Sequence, residues 1–248
     1  MTVVFVHGNP ETSAIWVPLT AVLGRDDVVL LSPPGFGAPL PDGFGATYPE
    51  YRDWLEGQLR TIDGPIDLVG HDWGGGHVMN VVMRWPELVR SWATDVVGLF
   101  DADYVWHDMA QVWQTPGAGE ELIANMMSGG VAGRTEMLVS LGFPADIAAA
   151  VAEHQNDDMA TAILALYRSA AQPAMAEEGR ALESAAARPG LSLLATEDPY
   201  IGANDNRRRA AERAGARTEV LEGLGHWWML EDPKRGAAAL TSFWETLD

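Results

Sequence analysis

The 248-residue chain has no cysteine, and its 16 lysine and arginine residues are outnumbered by 35 aspartate and glutamate residues. Without cysteine, the chain forms neither disulfides nor thiolate metal sites. The formal net charge of -19 argues against nucleic acid, strongly anionic substrates and anionic membrane surfaces as partners, because binding them requires patches of Lys and Arg. No apolar run reaches the length of a membrane span, and the first residues lack a signal-peptide pattern. We therefore expect a cytoplasmic protein whose partner is a small molecule.

Short apolar runs alternate with helical patterns along the chain, as in a parallel sheet joined by right-handed crossovers. The predicted strands are Val3–Val6, Asp27–Leu31, Ile66–Gly70, Trp92–Val97, Leu191–Ala195 and Glu219–Leu221. Their continuous apolar character suits strands that are buried on both faces. The predicted helices are Ser13–Leu23, Tyr48–Ile62, Gly75–Arg84 and Ala237–Leu247. The sequence therefore predicts the α/β class, with a mostly parallel sheet flanked by helices.

One long stretch, residues 101–187, interrupts this alternation. It has no convincing strand and is rich in Ala, Met and Glu. Because it is too long for a single crossover, we interpret it as several helices inserted between two strands. An insertion at the carboxyl edge of a parallel sheet lies over the place where such sheets bind ligands. We therefore predict an α/β core, residues 1–100 and 188–248, and a helical cap, residues 101–187.

The most informative segment joins a predicted strand to a predicted helix through Gly70-His71-Asp72-Trp73-Gly74-Gly75. This is the pattern of a nucleophile elbow, with Asp72 where such turns usually carry serine. The helix N-terminus points free N–H groups at the carboxylate and helps to keep it ionised. A carboxylate displaces a leaving group at saturated carbon and forms an ester, which must then be hydrolysed. The alternative interpretation is that Asp72 only caps the helix.

Two further segments follow later strands in the order nucleophile, acid, histidine. His226 lies in a Gly-flanked loop after the last predicted strand, and Asp198 follows the preceding strand, with Glu197 beside it. His226 is the candidate base, and Asp198 is the candidate acid that orients the imidazole. Asp101 and Asp103, after the strand Trp92–Val97, are rival candidates for the acid.

The first strand leads into a loop with the sequence Val6-His7-Gly8-Asn9-Pro10-Glu11. This loop, the Asp72 turn and the His226 loop together resemble the α/β-hydrolase superfamily, in the branch of epoxide hydrolases and haloalkane dehalogenases. The resemblance covers nearly the whole chain. It implies a hydrolase with Asp72 as nucleophile, His226 as base and an oxyanion hole formed by the backbone N–H groups of Asn9 and Trp73. It implies no metal and no organic cofactor.

Two segments of the predicted cap resemble epoxide hydrolases. Leu166-Tyr167-Arg168 is similar to the motif whose tyrosine donates a hydrogen bond to the epoxide oxygen, and Val105-Trp106-His107 resembles a subset with histidine in place of a second tyrosine. The resemblance thus implies Tyr167 and His107 as the ring-opening pair. The alternatives are that Tyr167 is an amphipathic-helix residue with a solvated hydroxyl and that His107 is a solvent-exposed helix residue.

One feature resembles the dehalogenases instead. Epoxide hydrolases usually have an aromatic residue after His-Gly, whereas many dehalogenases have asparagine, as this chain does at Asn9. In dehalogenases this asparagine and the tryptophan after the nucleophile hold the departing halide, which implies the pair Asn9 and Trp73 here. Relatives also have an antiparallel strand pair before the first strand, which this sequence lacks. Because its absence leaves the strand Asp27–Leu31 near a sheet edge, we expect a homodimer that protects that edge.

The sequence therefore predicts an enzyme that opens a small, neutral, largely apolar epoxide to a vicinal diol through an ester on Asp72. The first alternative is a haloalkane dehalogenase that releases halide and an alcohol. An alternative from another class is a non-catalytic ligand-binding receptor on a hydrolase scaffold.

Overall fold

The computed structural model describes residues 1–247, which fold around one sheet. Its strands are β1 Thr2–Val6, β2 Val28–Leu31, β3 Ile66–Gly70, β4 Ser91–Thr94, β5 Gly190–Ala195 and β6 Ala216–Leu221. Within the described residues their order is β2-β1-β3-β4-β5-β6, and every pairing is parallel. The predicted α/β class and parallel sheet are confirmed. All carboxyl ends of the strands therefore meet at one edge of the sheet.

The sheet is buried on both faces because alternate residues of its strands enter different cores. In β1, Val4 and Val6 pack into one hydrophobic core, whereas Val3 and Phe5 pack into the other. All five residues of β3 and all six of β5 are buried. This two-sided burial is the reason that the strands read as continuous apolar runs.

The helices of the described residues are α1 Val17–Leu23, α2 Tyr48–Leu59, α3 Trp73–Arg84, α4 Asp108–Gln114, α5 Ala118–Met127, α6 Gly130–Ser140, α7 Ala145–His154, α8 Asp157–Ser169, α9 Ala174–Glu178, α10 Asn204–Arg213, α11 Trp228–Glu231 and α12 Pro233–Trp244. None of them combines the length and the apolarity that crossing a membrane requires. Helices α4 to α9 lie between β4 and β5, and residues 101–187 contain no strand. The division into a core and a cap at these boundaries stays a prediction.

Two helices begin where their capping residues lie. The side chains of Thr47 and Glu50 form a capping box at the start of α2. Helix α12 begins four residues before the predicted Ala237, because Pro233 suits the first turn of a helix. Asp232 accepts the N–H of Arg235 at 3.0 Å and so caps this helix.

The predicted strand Trp92–Val97 is too long, since β4 ends at Thr94. The Oγ1 of Thr94 accepts the N–H of Val96 at 3.3 Å, and residues 97–100 form a 3-10 turn. Because the strand ends before Asp95, this residue lies outside the sheet, and its side chain contacts other elements. At one edge of the sheet, β2 pairs with β1 alone, and all four of its residues are at least partly exposed. The homodimer expected at this edge stays a prediction.

Candidate active site

Asp72 occupies the sharp turn between β3 and α3, with φ 49° and ψ -129°. A positive φ is strained for a residue other than glycine, and such strain clusters at functional sites. A Cβ on Gly70 would lie 2.6 Å from the Cα of Gly75, and one on Gly74 would lie 2.2 Å from the carbonyl oxygen of Val6. The turn therefore requires glycine on both sides of Asp72. The interpretation of Asp72 as a helix cap is wrong, because its side chain makes no capping hydrogen bond.

Two hydrogen bonds donated by backbone N–H groups hold the turn at Asp72. The N–H of Asn9 donates to Oδ1 of Asp72 at 3.0 Å, and the N–H of Asp72 donates to Oδ1 of Asp95 at 3.1 Å. Trp73 begins α3, so its own backbone N–H has no partner within the helix. Burial raises the pKa of the Asp72 carboxyl, against the opposing effect of His226. The side chain is 12% exposed, and it lines a cavity.

His226 lies in the loop after β6, between two aspartates. Its Nδ1 donates to Oδ2 of Asp198 at 2.9 Å, and its Nε2 lies 3.8 Å from Oδ2 of Asp72. Burial lowers the pKa of His226, but the charges of Asp198 and Asp72 and the hydrogen bond to Asp198 outweigh burial and raise it. Burial opposes the ionisation of Asp198, yet His226 and the N–H of Tyr200 lower the pKa of its carboxyl to about 2. The structure thus aligns an ionised aspartate, an imidazole and the Asp72 carboxylate.

The rival acids lie elsewhere. Arg209 donates from Nη2 to Oδ1 of Asp101 at 2.6 Å and to Oδ2 of Asp103 at 3.0 Å. Among the described residues, Asp198 is the carboxylate that bonds Nδ1 of His226. The structure therefore brings Asp198 to His226 and leaves Asp101 and Asp103 in a separate ion pair.

A buried ion-pair network that the sequence analysis missed lies behind the turn at Asp72. The Nδ1 of His71 lies 2.5 Å from Oδ2 of Asp95, and its Nε2 lies 3.2 Å from Oε1 of Glu11. The indole N–H of Trp228 donates to Asp95 at 2.7 Å, and that of Trp227 donates to Glu11. Glu11, His71 and Asp95 all follow the carboxyl ends of strands, where polar residues of parallel sheets gather. That position is the sequence signal that could have found them.

Glu11, His71 and His226 bring three donor atoms within 4.8 Å of one another, the spacing of a candidate metal site in the described chain. However, both ring nitrogens of His71 already contact carboxylate oxygens. Burial lowers the pKa of His71, but Asp95 and Glu11 outweigh burial and raise it well above its usual range. We therefore assign these donors to ion pairs rather than to a metal.

His107 lines the same cavity as Asp72 and precedes α4. Its Nδ1 accepts the N–H of Ala110 at 3.2 Å. Burial, together with the nearby His226, lowers the pKa of His107 to about 4. A neutral imidazole whose Nδ1 is an acceptor carries its proton on Nε2. The side chain is half-buried, so the interpretation of His107 as a solvent-exposed helix residue is wrong, and its free N–H is available to the cavity.

Tyr167 lies on α8 and is 3% exposed, so the interpretation as a solvated hydroxyl on a helix surface is wrong. Its ring meets that of Trp73 edge to face, with 5.5 Å between centroids. Burial and the charge of Asp72 raise the pKa of Tyr167 well above its usual range. The hydroxyl therefore keeps its proton beside the cavity.

The side chain of Asn9 is 5% exposed and lines the cavity. Within residues 1–247, neither of its amide atoms has a hydrogen-bond partner of regular geometry. Leaving a buried polar group without a full partner costs about 1–3 kcal/mol. The amide is therefore free to bond a group that enters the cavity.

The cavity in front of Asp72 has a volume of about 150 Å³. A dry cavity of this size holds a molecule about as large as benzene. Its walls are mostly apolar, and residues 101–187 contribute Met109, Trp113, Leu122, Met126, Leu138 and Phe143. The site therefore suits a small neutral molecule that approaches Asp72 and carries one polar group toward His107 and Tyr167.

The chain matches the model of the Alpha/beta hydrolase family over residues 3–239, and it belongs to this family. A haloalkane dehalogenase of Mesorhizobium japonicum is 28% identical over 136 residues, which cover 49% of this chain and 42% of that relative. The match thus spans less than half of the relative's length.

Two solved structures share the fold over nearly the whole chain. The haloalkane dehalogenase of Bradyrhizobium elkani has a TM-score of 0.72 at 22% identity, covering 99% of this chain and 91% of its own. Epoxide Hydrolase A of Mycobacterium thermoresistibile has a TM-score of 0.72 at 21% identity, covering 100% of this chain and 92% of its own. At these identities the likeness shows the fold alone. The chain is thus a member of the Alpha/beta hydrolase family, and proteins of both kinds share its fold.

Proposed function

We propose that this hydrolase opens a small, neutral, largely apolar epoxide to a vicinal diol. The observation that carries the proposal is that His107 and Tyr167 line the same apolar cavity as Asp72. Both are neutral donors, one through the Nε2–H and the other through the hydroxyl. An epoxide oxygen acquires negative charge as its ring opens, so it requires such donors on the side away from the attacking carboxylate. Residues 101–187 act in this proposal as the cap that carries both donors.

In the first step, an oxygen of Asp72 attacks one epoxide carbon as the bond from that carbon to the ring oxygen breaks. The ring oxygen takes a proton from Tyr167 while the Nε2–H of His107 donates a hydrogen bond to it. The result is an ester between Asp72 and a hydroxyalkyl group. The raised pKa of the Asp72 carboxyl favours this attack, because a poorly solvated carboxylate is the better nucleophile.

In the second step, His226 removes a proton from a water molecule, and the water oxygen adds to the ester carbonyl of Asp72. The backbone N–H groups of Asn9 and Trp73 stabilise the oxyanion. Cleavage of the acyl C–O bond releases the diol and restores the carboxylate. One proton of the water returns to Tyr167, and the other completes the second hydroxyl of the diol. Overall, one epoxide and one water give one diol.

Ester formation prepares His226 for the second step. In the free enzyme, the charge of Asp72 contributes to the raised pKa of His226. The ester is uncharged, so this contribution disappears once the alkyl group is attached. The pKa of His226 therefore falls when the imidazole must act as a neutral base.

A haloalkane dehalogenase is the second candidate, because the Asn9 amide and the Trp73 indole are N–H donors near Asp72. A halide leaves as a stable anion and needs such donors but no proton. In this chain, however, the Tyr167 hydroxyl and His107 line the same cavity as Asp72. A departing halide has no use for such proton donors, whereas an epoxide oxygen needs them, which favours the epoxide.

The deciding experiment incubates the purified protein with matched small epoxides and bromoalkanes and measures diol and free bromide in parallel. Diol without bromide supports the proposal, and the Asp72→Ala variant serves as the control for uncatalysed ring opening. Bromide without diol would contradict the proposal and support the function of a haloalkane dehalogenase. Saturable binding with neither product would favour the receptor. The cytoplasmic location stays a prediction.

A further inference from the structure

Two Asp–His pairs lie side by side in the site, with 4.5 Å between the ring centroids of His71 and His226. In each pair Nδ1 contacts a carboxylate, at 2.9 Å between His226 and Asp198 and at 2.5 Å between His71 and Asp95. The two rings differ at Nε2. The Nε2 of His71 lies 3.2 Å from Oε1 of Glu11, whereas the Nε2 of His226 lies 3.8 Å from Oδ2 of Asp72. His71 is thus held by carboxylates at both nitrogens.

This arrangement requires a proton on each nitrogen of His71. A neutral imidazole has one N–H donor and one acceptor, so it cannot donate to two carboxylates. Both oxygens of Glu11 accept other N–H bonds, from the Trp227 indole and from the backbone of Gly8. Asp95 likewise accepts N–H bonds on both oxygens. Every oxygen of these two carboxylates thus already accepts an N–H bond, and each carboxylate also faces a ring nitrogen of His71.

His226 is surrounded mainly by anions. The titratable groups that face it from the neighbouring elements are Asp198 and Tyr200 after β5, Asp72 and His71 at the nucleophile turn, Glu11 after β1 and His107 before α4. Among these groups, the ionised carboxylates favour the imidazolium form of His226, which has no lone pair to accept a proton from water. His71 provides the nearest opposing charge, and two cations at this separation repel strongly where solvent is excluded.

We propose that His71 is a permanently protonated positioning residue whose fixed positive charge keeps the neighbouring His226 available as a neutral base. The role of His226 as base rests on the proposed function. The protonation of His71 rests only on its contacts with Asp95 and Glu11.

The first test is a pH titration of the whole protein with ¹⁵N-labelled histidine, followed by NMR without substrate. The six histidine side chains are assigned by comparison with His71→Gln and His226→Gln. We expect both nitrogens of His71 to stay protonated from about pH 5 to about pH 9, a range in which an ordinary histidine loses its proton. Titration of His71 within this range would overturn the proposal.

The second test compares the titration midpoint of His226 in two variants of opposite charge change. His71→Gln removes a cation and should raise the midpoint by about one pH unit or more. Glu11→Gln removes an anion and should lower the midpoint by a similar amount as long as the spectrum of that variant shows both nitrogens of His71 protonated. A purely structural role of the network would not shift the midpoint in opposite directions. Trp227→Phe, which removes an indole donor to Glu11 without changing the charge, is the matched control and should leave the midpoint near the wild-type value.

Shifts of the same sign while His71 stays protonated in Glu11→Gln, or no shift in either variant, would overturn the proposal. If His71→Gln does not fold, Glu11→Gln decides alone. A midpoint that falls while His71 stays protonated, or that rises when His71 loses a proton, supports the proposal, and any other outcome contradicts it. Because the titration needs no substrate, failure of the diol assay would overturn the proposed function without touching this result. If the titration contradicts the proposal while diol formation is normal, only the role of His71 is overturned.

Discussion

The Nε2 of His226 lies 3.8 Å from Oδ2 of Asp72, a separation too long for a direct hydrogen bond. The carboxylate therefore keeps this oxygen free for attack, and the imidazole keeps its Nε2 free for a water molecule. An ester formed on Asp72 would stay within reach of that water. One spacing thus serves both steps of the proposed reaction.

Replacing Asp72 by alanine should lower diol formation by more than about 1,000-fold, because the reaction loses its nucleophile. The fold should tolerate the change. Burial raises the pKa of this carboxyl, so its charge costs folding free energy above that pKa, and we expect the free energy of unfolding to stay within about 1 kcal/mol of wild type or to rise. Diol assays and urea unfolding measure the two effects, and retained turnover would contradict the nucleophile assignment.

Replacing His226 by glutamine should trap the ester, since Asp72 still attacks while the water lacks its base. Mass spectrometry should then show one substrate mass added to the protein. The double variant Asp72→Ala/His226→Gln is the control and should carry no adduct. Steady turnover by His226→Gln without an adduct would show that another group activates the water.

Replacing Tyr167 by phenylalanine should slow ester formation from an epoxide by about 100-fold, because the ring oxygen loses a donor. Displacement of bromide from a bromoalkane needs no proton donor, so the same change should slow that reaction far less. Tyr104→Phe is the matched control, since the Tyr104 hydroxyl donates to the carbonyl of Tyr200 at 3.1 Å. Single-turnover kinetics with an epoxide and with a bromoalkane measure the two effects. Equal losses in both variants would argue against a specific role of Tyr167.

The pH dependence should differ between the free enzyme and the ester. The pKa of His226 is raised in the free protein, in part by Asp72, and this contribution vanishes in the uncharged ester. When ester hydrolysis limits turnover, kcat should fall to half of its maximum as the pH is lowered. The pH at which this happens should lie below the titration midpoint of His226 in the free protein. The lowered pKa of His107, about 4, keeps that residue neutral through this range. An acid limb of kcat at or above the free-protein midpoint would contradict the coupling between Asp72 and His226.

Local sequence was enough to predict the parts of the site whose conformation is set by their neighbours in the chain. The glycines around Asp72 predicted the turn between β3 and α3, because a Cβ at Gly70 or Gly74 would collide with nearby backbone. Continuous apolar runs predicted the parallel strands. Strand order along the chain placed His226 and Asp198 at the carboxyl edge, where the structure joins them. Their catalytic roles stay predictions.

Other features depended on contacts between segments far apart in the chain. Sequence left Asp101 and Asp103 open as acids, and only the pairing of Asp101 with Arg209, 108 residues away, separates them from His226. Sequence analysis also missed the pairing of Glu11 with His71, which brings together loops that follow different strands.

The sequence by itself therefore determined the class of fold, the sharp turn at Asp72 and the order of the candidate residues, because steric and hydrophobic patterns act over a few neighbouring residues. Tertiary structure alone decided which carboxylate meets His226 and where the proton lies on His107. It also decided that His71 lies between two anions. Charges and hydrogen bonds depend on distances of a few ångströms, and these distances are set only when crossovers and inserted helices pack together.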